Sequence, residues 1–251
     1  MIKCIISGCN GKMGSVVTKT AFEDESIEIV AGFDINTEKK YGYDVFAEPA
    51  DFKGEADVII DFSHPAMFDK ILDFAVAAKT AVVFCTTGLS DEQKARMVEE
   101  SKNTAIFFSA NMSLGVNLLM DLVSRAAKIL ENNFDIEIIE KHHNKKIDAP
   151  SGTALAIADT INEALENKKS YVYDRHAVRK QRSKNELGLH AVRGGTIVGE
   201  HDVIFAGLDE IIEIKHTAMS KDVFAVGAIS AAKFMADKKS GMYSMKDIVN
   251  E

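Results

Sequence analysis

The sequence predicts an α/β protein built on a doubly wound parallel sheet, with an α+β domain inserted into it. Three observations carry that expectation. As far as residue 112, short runs rich in Val, Ile and Phe alternate with helical stretches, and the runs are nearly continuous in apolar residues, as strands covered on both faces require. A glycine-rich turn joins the first run to the first helix, where sheets of this kind place their ligand. After Ser113 the style changes to one long helix and alternating strands, and a last helix returns to the first pattern. The predicted domains are therefore residues 1–112 with 222–251, and residues 113–221.

Lys3–Ser7, Glu28–Phe33, Asp57–Asp61, Ala81–Cys85 and Ala105–Ser109 read as the strands of the first domain, each followed by turn residues. Met13, Val16, Val17 and Thr20 supply the buried side of its first helix. Pro65–Lys79 places Phe68, Leu72 and Ala75/Val76 on one helical face. Ser90-Asp91-Glu92-Gln93 is a capping box for a helix that runs to about Ser101. In the second domain Leu114–Glu131 is helical, with Leu118, Leu122, Ala126 and Ile129/Leu130 as its apolar stripe. Phe134–Glu140 sets Phe134, Ile136 and Ile138 against Asp135 and Glu137, a strand with one wet or interface face. A helix over about Thr153–Glu166 follows, then largely antiparallel strands near Leu189–Val192, Thr196–Phe205 and Glu210–His216. Val223–Ala236 is the returning helix. In Asn167–Glu186 seven Lys and Arg face only Asp174 and Glu186. It reads either as a solvated surface loop or as a mobile loop that attracts an anion or meets a neighbouring subunit.

Composition sets bounds on function. In 251 residues, 46% are hydrophobic and 27% charged, the balance of a chain that buries a core. Thirty basic against 38 acidic residues leave a net charge of −8, which argues against a general nucleic-acid binder. No apolar run approaches the roughly 18 residues of a membrane span. A strand pattern begins at once after Met1, leaving no room for a signal peptide. Cys4, Cys9 and Cys85 are an odd set with no disulfide or zinc spacing, which fits a reducing cytoplasm.

Gly8-Cys9-Asn10-Gly11-Lys12-Met13-Gly14 follows the first strand, with GxxGxxG in place of the Rossmann GxGxxG. Gly8 permits the tight turn, Gly11 lets a pyrophosphate approach the backbone, and Gly14 allows close helix–strand packing. The helix N-terminus and its dipole then favour the phosphate charge. Asp34 ends the second strand at the usual offset of a carboxylate that accepts ribose hydroxyls. The plain alternative is an ordinary β-α turn and a surface acid. Asp34 repels a 2′-phosphate, and Ile35 and Asn36 add no positive charge, although Lys39 and Lys40 lie within reach. NADH is therefore expected to serve at least as well as NADPH. Cys85-Thr86-Thr87 and Ser109-Ala110-Asn111-Met112 follow later strands. They read either as cofactor-lining ends or as simple turns. Cys85 has no His beside it in sequence and is a poor nucleophile candidate.

The stretch Glu140-Lys141-His142-His143-Asn144-Lys145-Lys146-Ile147-Asp148-Ala149-Pro150-Ser151-Gly152-Thr153-Ala154 leaves a strand and enters a helix. Ser151 is the expected N-cap. The amides of Gly152 and Thr153 form an anion site, a Lys supplies full charge, and an imidazole can exchange a proton near neutral pH. The alternative is a capped helix after a charged loop. HH-x-x-K is no zinc motif, because no third ligand is suitably spaced and adjacent side chains leave a strand in opposite directions. No metal is expected.

The E-x-HH-x-x-K-x-DAPSGTA pattern resembles the substrate motif of the 4-hydroxy-tetrahydrodipicolinate reductase (dihydrodipicolinate reductase) family. The similarity covers the whole length, including Gly8–Gly14, Ile60-Asp61-Phe62, Thr86-Thr87-Gly88, Asn111–Asn117, Val198-Gly199-Glu200-His201 and Ser240-Gly241-Met242-Tyr243. The resemblance implies NAD(P)H-dependent reduction of a small cyclic dicarboxylate in lysine and diaminopimelate synthesis, and a homotetramer built through the sheet of the second domain. It implies His142 as the catalytic proton donor, Lys146 as a second donor near a substrate carboxylate, His143 in contact with substrate, and Gly152 and Thr153 holding a carboxylate. For the dinucleotide it implies Gly8, Cys9, Asn10, Gly11, Lys12, Met13, Asp34, Cys85, Thr86, Thr87, Ser109, Ala110, Asn111 and Met112. Cofactor and substrate would meet by hinge closure of the two domains. This chain has Lys12 for the common Arg, Cys85 for Gly, Met112 for Phe, and His64 where an Arg can serve the adenine phosphate end. The rival readings are another oxidoreductase of the same layout and a non-catalytic NAD-sensing module.

Overall fold

The computed structural model describes residues 1–251, which divide into two units: Met1–Leu114 with Asp222–Glu251, and Gly115–Lys221. In chain order the first unit contributes β1 (Ile2–Ser7), α1 (Lys12–Phe22), β2 (Ile27–Phe33), β3 (Val45–Phe46), β4 (Val58–Asp61), α2 (Phe68–Ala78), β5 (Ala81–Phe84), α3 (Asp91–Glu100) and β6 (Ala105–Phe108). The second unit follows with α4 (Leu114–Leu130), β7 (Asp135–His142), α5 (Gly152–Ala164), β8 (Ser170–Val172), β9 (Glu186–Arg193), β10 (Gly199–Ala206) and β11 (Ile211–Ala218). The chain then returns to the first unit with α6 (Asp222–Met235), β12 (Gly241–Tyr243) and α7 (Met245–Val249).

In the first unit seven parallel strands run in the order β12-β6-β5-β4-β1-β2-β3. Helices cover both faces, which explains the unbroken apolar runs: Cys4, Ile6 and Val83 join α1 and α6 in one cluster, while Ile5, Ile59 and Phe84 join α2 and α3 in another. The chain winds away from β1 in opposite directions through β2 and β4, so the loop after Ser7 lies at the switch in strand order. The capping box at Ser90 forms, with Gln93 N–H donating to Ser90 Oγ at 3.2 Å and Ser90 N–H to the Gln93 side chain at 3.0 Å. The buried side of α1 is Gly14, Val17, Thr18 and Ala21; of the expected Met13, Val16, Val17 and Thr20, Val17 is fully buried and Val16 packs against the core, while Gly14 turns the helix toward the loop.

The second sheet runs β11-β10-β7-β9-β8. It is mixed rather than largely antiparallel: β7, β9 and β8 are mutually parallel, and only β10 reverses against β7 and β11. Helices α4 and α5 bury Ile136, Ile138, Leu187, Leu189, Val203 and Phe205 on one face. On α4 the buried row is Leu119, Val123 and Ala127. The expected row holds only in part: Ala126 and Leu130 pack against the core, but Leu118, Leu122 and Ile129 are 47, 42 and 80% exposed. The helix is apolar around so much of its surface that periodicity alone offers two neighbouring rows, and packing chooses between them. The basic segment is not a free loop throughout. It includes β8, and Arg175 and Arg182 reach Glu137 on β7 at 2.7 and 2.9 Å.

Candidate active site

The glycine loop of the first unit is shaped by its neighbours' backbone. Gly8 has φ +73°, donates to Phe33 O at 2.7 Å, and a Cβ there would stand 2.8 Å from Phe62 O. Gly11 donates to Gly8 O at 3.0 Å and caps α1, with Lys12 exposed and Met13 half-buried just beyond. Cys9 points inward against Gly32 and Tyr43, and burial pushes its thiol up to about 11. Asp34 accepts from the amides of Asn10 and Asn36, each at 2.9 Å. The Asn10 side chain donates to Asn36 O and Glu38 O at 2.6 and 2.9 Å, while its Oδ1 is buried without a partner. Glycine loop and strand-end carboxylate thus form one rigid cradle, open where a side chain would fill it. Those features fit a dinucleotide's pyrophosphate and ribose.

The later strand ends differ among themselves. Thr86 is buried and turned inward: its hydroxyl donates to Asp61 Oδ2 at 2.5 Å and contacts Ser63 O at 3.2 Å. Burial pushes the Asp61 carboxyl up, against the pull of hydrogen bonds from Ser63 and Thr86. Burial, with Asp61 beside it, holds the Cys85 thiol well above its ordinary range, which removes it as a nucleophile. Thr87 is exposed. Ser109 Oγ donates to Asn111 O at 3.1 Å, Asn111 Oδ1 accepts from Ser113 N–H at 2.9 Å, and Ala110 is exposed between them. Met112 is buried, with its carbonyl against Gly227 of α6. His64 turns its Nδ1 onto the Ala66 amide at 3.1 Å, and Lys39 and Lys40 are paired with Asp44 and Glu38.

In the second unit the alternation of β7 sends Lys141 outward, to Glu200 at 3.3 Å, and both Glu140 and His142 inward. His142 Nδ1 lies 2.6 Å from Glu140 Oε2. Glu140 also receives the Ser151 amide at 3.0 Å and both terminal nitrogens of Arg193, at 2.8 and 2.7 Å. Burial alone would raise the Glu140 carboxyl, but the Arg193 and His142 hydrogen bonds outweigh it and hold it below the usual range. Ser151 caps α5, accepting from Ala154 N–H, and its hydroxyl meets His201 Nε2, both at 3.1 Å. Gly152 opens the helix with nothing within 4 Å of where a Cβ would stand, and Thr153 follows it in the first turn. Lys146 sits in a turn closed on His143 O and pairs with Asp148 at 2.9 Å. The peptide bond before Pro150 is cis.

Three imidazole nitrogens here, Nδ1 of His143, His201 and His216, are buried without partners. Burial pushes His201 down to about 4, with His142 as the next cause, so that ring is neutral. Neutral polar groups, a helix N-terminus and the Lys146 ammonium together suit a small dicarboxylate. No group of side chains that could hold a metal is present.

Sequence reasoning missed Glu140, Arg193, His201 and Gly199 as site residues. Glu140 was recoverable, since it shares a face with His142 at a spacing of two. Arg193 and His201 were not. Only the register of the mixed sheet sets His142 opposite Arg193 and Glu140 opposite His201. Gly199 matters by what it lacks, since a Cβ there would stand 3.1 Å from His142 Nε2.

Comparison with known proteins agrees with this geometry. Residues 2–112 match the family model for the N-terminus of dihydrodipicolinate reductase, and residues 115–249 match that for its C-terminus. The 4-hydroxy-tetrahydrodipicolinate reductase of Caldanaerobacter subterraneus subsp. tengcongensis is 55% identical over 251 residues, covering 100% of this chain and 99% of that one. Its counterpart in Clostridium tetani is 48% identical over 250 residues, covering 100% and 98%. A solved dihydrodipicolinate reductase from Paenisporosarcina sp. TG-14, with dipicolinate bound, superposes with a TM-score of 0.83 at 26% identity over 99% of each chain. The chain belongs to the dihydrodipicolinate reductase family.

Proposed function

We propose that this protein reduces 4-hydroxy-tetrahydrodipicolinate to tetrahydrodipicolinate with loss of water, using NADH or NADPH, in the cytoplasmic route to diaminopimelate and lysine. The observation that carries the reading is the hydrogen-bonded His142–Glu140 couple beside the capped N-terminus of α5. When bound, the reduced dinucleotide supplies the hydride, and Gly8 to Met13 with Asp34 would hold it. Cys85, Thr86, Thr87 and Ser109 to Met112 would border it, Thr86 through its backbone because its hydroxyl is committed to Asp61.

Reduction of a conjugated imine leaves negative charge that must be protonated. His142 is the donor: Nδ1 is held by Glu140, so the proton leaves from Nε2, on the side that Gly199 keeps open. Lys146 and the amides of Gly152 and Thr153 bind a substrate carboxylate, and His143 contacts the ring. Oxidation of reduced cofactor by freshly generated substrate, with inhibition by pyridine-2,6-dicarboxylate, is the direct assay. His142→Gln is expected to lower kcat far more than it raises KM. A change in KM alone would reassign the residue to binding.

NADH is expected to saturate at least as well as NADPH. Asp34 is a carboxylate where a 2′-phosphate would lie, and Lys39 and Lys40 already carry acid partners. A large NADPH preference in steady-state kinetics would overturn this. The homotetramer would form through the face of the second sheet opposite α4 and α5, which carries Ile139, Val192 and Ile204 among its charges. Ile204→Glu is expected to reduce the sedimenting mass, and an unchanged tetramer would place the interface elsewhere.

A further inference from the structure

Glu140 is 1% exposed, and four donors converge on its two oxygens. Oε1 takes the Ser151 amide and Arg193 Nη2; Oε2 takes His142 Nδ1 and Arg193 Nη1. Arg193 is anchored in turn, donating to Val192 O at 2.8 Å and Asp148 O at 2.7 Å. We propose that Glu140, clamped by the Arg193 fork, is the positioning residue that aligns His142 and the first turn of α5 with each other. It extends the reading above, in which His142 gives the proton and that turn binds a carboxylate.

The physical case is one of valence. A carboxylate is an acceptor at both oxygens, and here both are fully used by donors. A carboxamide offers one acceptor oxygen, so Gln at this position must turn an N–H onto either His142 and Arg193 or Ser151 and Arg193. One half of the site then loses its anchor. The bidentate guanidinium fixes the plane of the carboxylate, which a lysine ammonium cannot do. The groups facing His142 are Glu140 from β7, Arg193 opposite it on β9, and the neutral ring of His201 from β10 at 5.3 Å, while His216 of β11 and Lys146 of the loop act on His201 behind it. Glu140 is the anion in contact with His142, and it holds that ring as the Nδ1–H tautomer with Nε2 left for the reaction.

Glu140→Gln, Arg193→Lys and His142→Gln in the full-length enzyme test this, with kcat and KM measured against pH and with imidazole 15N spectra of His142. Glu140→Gln is expected to lower kcat at least about tenfold, toward the larger loss expected when a general acid is removed. KM should rise severalfold, and the basic limb of the kcat profile should move to lower pH. Arg193→Lys should give a smaller loss of the same kind, and it decides the matter if Glu140→Gln does not fold. In both variants the single Nδ1–H tautomer of neutral His142 should give way to a mixture. If these variants keep kcat, pH profile and tautomer while only thermal stability falls, Glu140 is structural and the proposal is overturned. If His142→Gln also keeps kcat, the underlying assignment of the proton donor falls with it.

Discussion

Gly14→Ala puts the glycine loop to a direct test. The added methyl would stand 2.0 Å from Gly8 O, 2.7 Å from Gly8 C and 2.8 Å from Cys9 Cα, against 3.4–4 Å for ordinary contact. All three are backbone atoms, so no rotamer change relieves the clash; α1 and the loop must separate. Alanine in a helix regains about 0.5–1 kcal/mol over glycine. Overpacking costs about 1–3 kcal/mol, and a rigid wall puts this case at the upper end. The net expectation is a destabilisation of about 2 kcal/mol, within the roughly 5–15 kcal/mol of a typical domain, so the chain still folds. The displaced segment includes the Gly8–Phe33 and Gly11–Gly8 hydrogen bonds. Dinucleotide affinity should therefore fall at least about tenfold, equivalent to about 1.4 kcal/mol. Gly11→Ala is the matched control: φ is −73° and the sole near contact is Gly8 O at 3.1 Å. Its stability should stay within about 1 kcal/mol of the parent, while binding weakens because the methyl occupies the surface that the phosphates approach. Urea denaturation and fluorescence titration with NADH measure the two quantities. Parental stability for Gly14→Ala, or parental affinity for Gly11→Ala, would refute the reasoning.

Three further outcomes follow from the geometry. Gly227→Ala places a methyl 1.7 Å from Met112 O and should cost about 1–3 kcal/mol or more in denaturation, with weaker NADH binding as the strand-end turn shifts; parental values for both would contradict the assigned contact. His201 is held near 4 in the fold against an ordinary 6.5, so it favours folding above about pH 6.5. That contribution is lost as pH falls from 6.5 toward 4, where the unfolded chain takes up the proton first, and amounts to about 3 kcal/mol. His201→Gln should flatten that part of the pH–stability curve, and an unchanged slope would contradict it. Lys146→Met removes the ammonium proposed to bind a substrate carboxylate while leaving Asp148 exposed to water, so KM should rise and kcat fall together; a parental KM would move the carboxylate site elsewhere.

The β-α alternation of the first unit, its glycine loop and Asp34 were legible from residue order alone. The reason is that each depends on neighbours in the chain: a strand end, a helix start, and the capping chemistry between them. The same holds for Ser151 and the His142–Lys146 turn. Val17 on α1 and Ala126 and Leu130 on α4 packed as expected, but Leu118, Leu122 and Ile129 did not, because helices with wide apolar surfaces acquire a buried side only when something packs on them. The short strands β3, β8 and β12 were invisible for a related reason. Segments of two or three residues have no period of their own and exist because an edge is there to pair with.

What tertiary structure alone decided is the surroundings of His142. His142, Glu140, Arg193 and His201 lie on three strands, and Arg193 falls 53 residues beyond Glu140 in the chain. Whether they meet depends on which strands are adjacent and in what register, and a shift of one residue would turn each side chain to the opposite face. Local sequence therefore determined which chemical groups the protein owns and where its turns open toward ligands. The charge state and aim of those groups came from long-range strand pairing, because a buried carboxylate stays ionised only where the fold delivers donors to both of its oxygens.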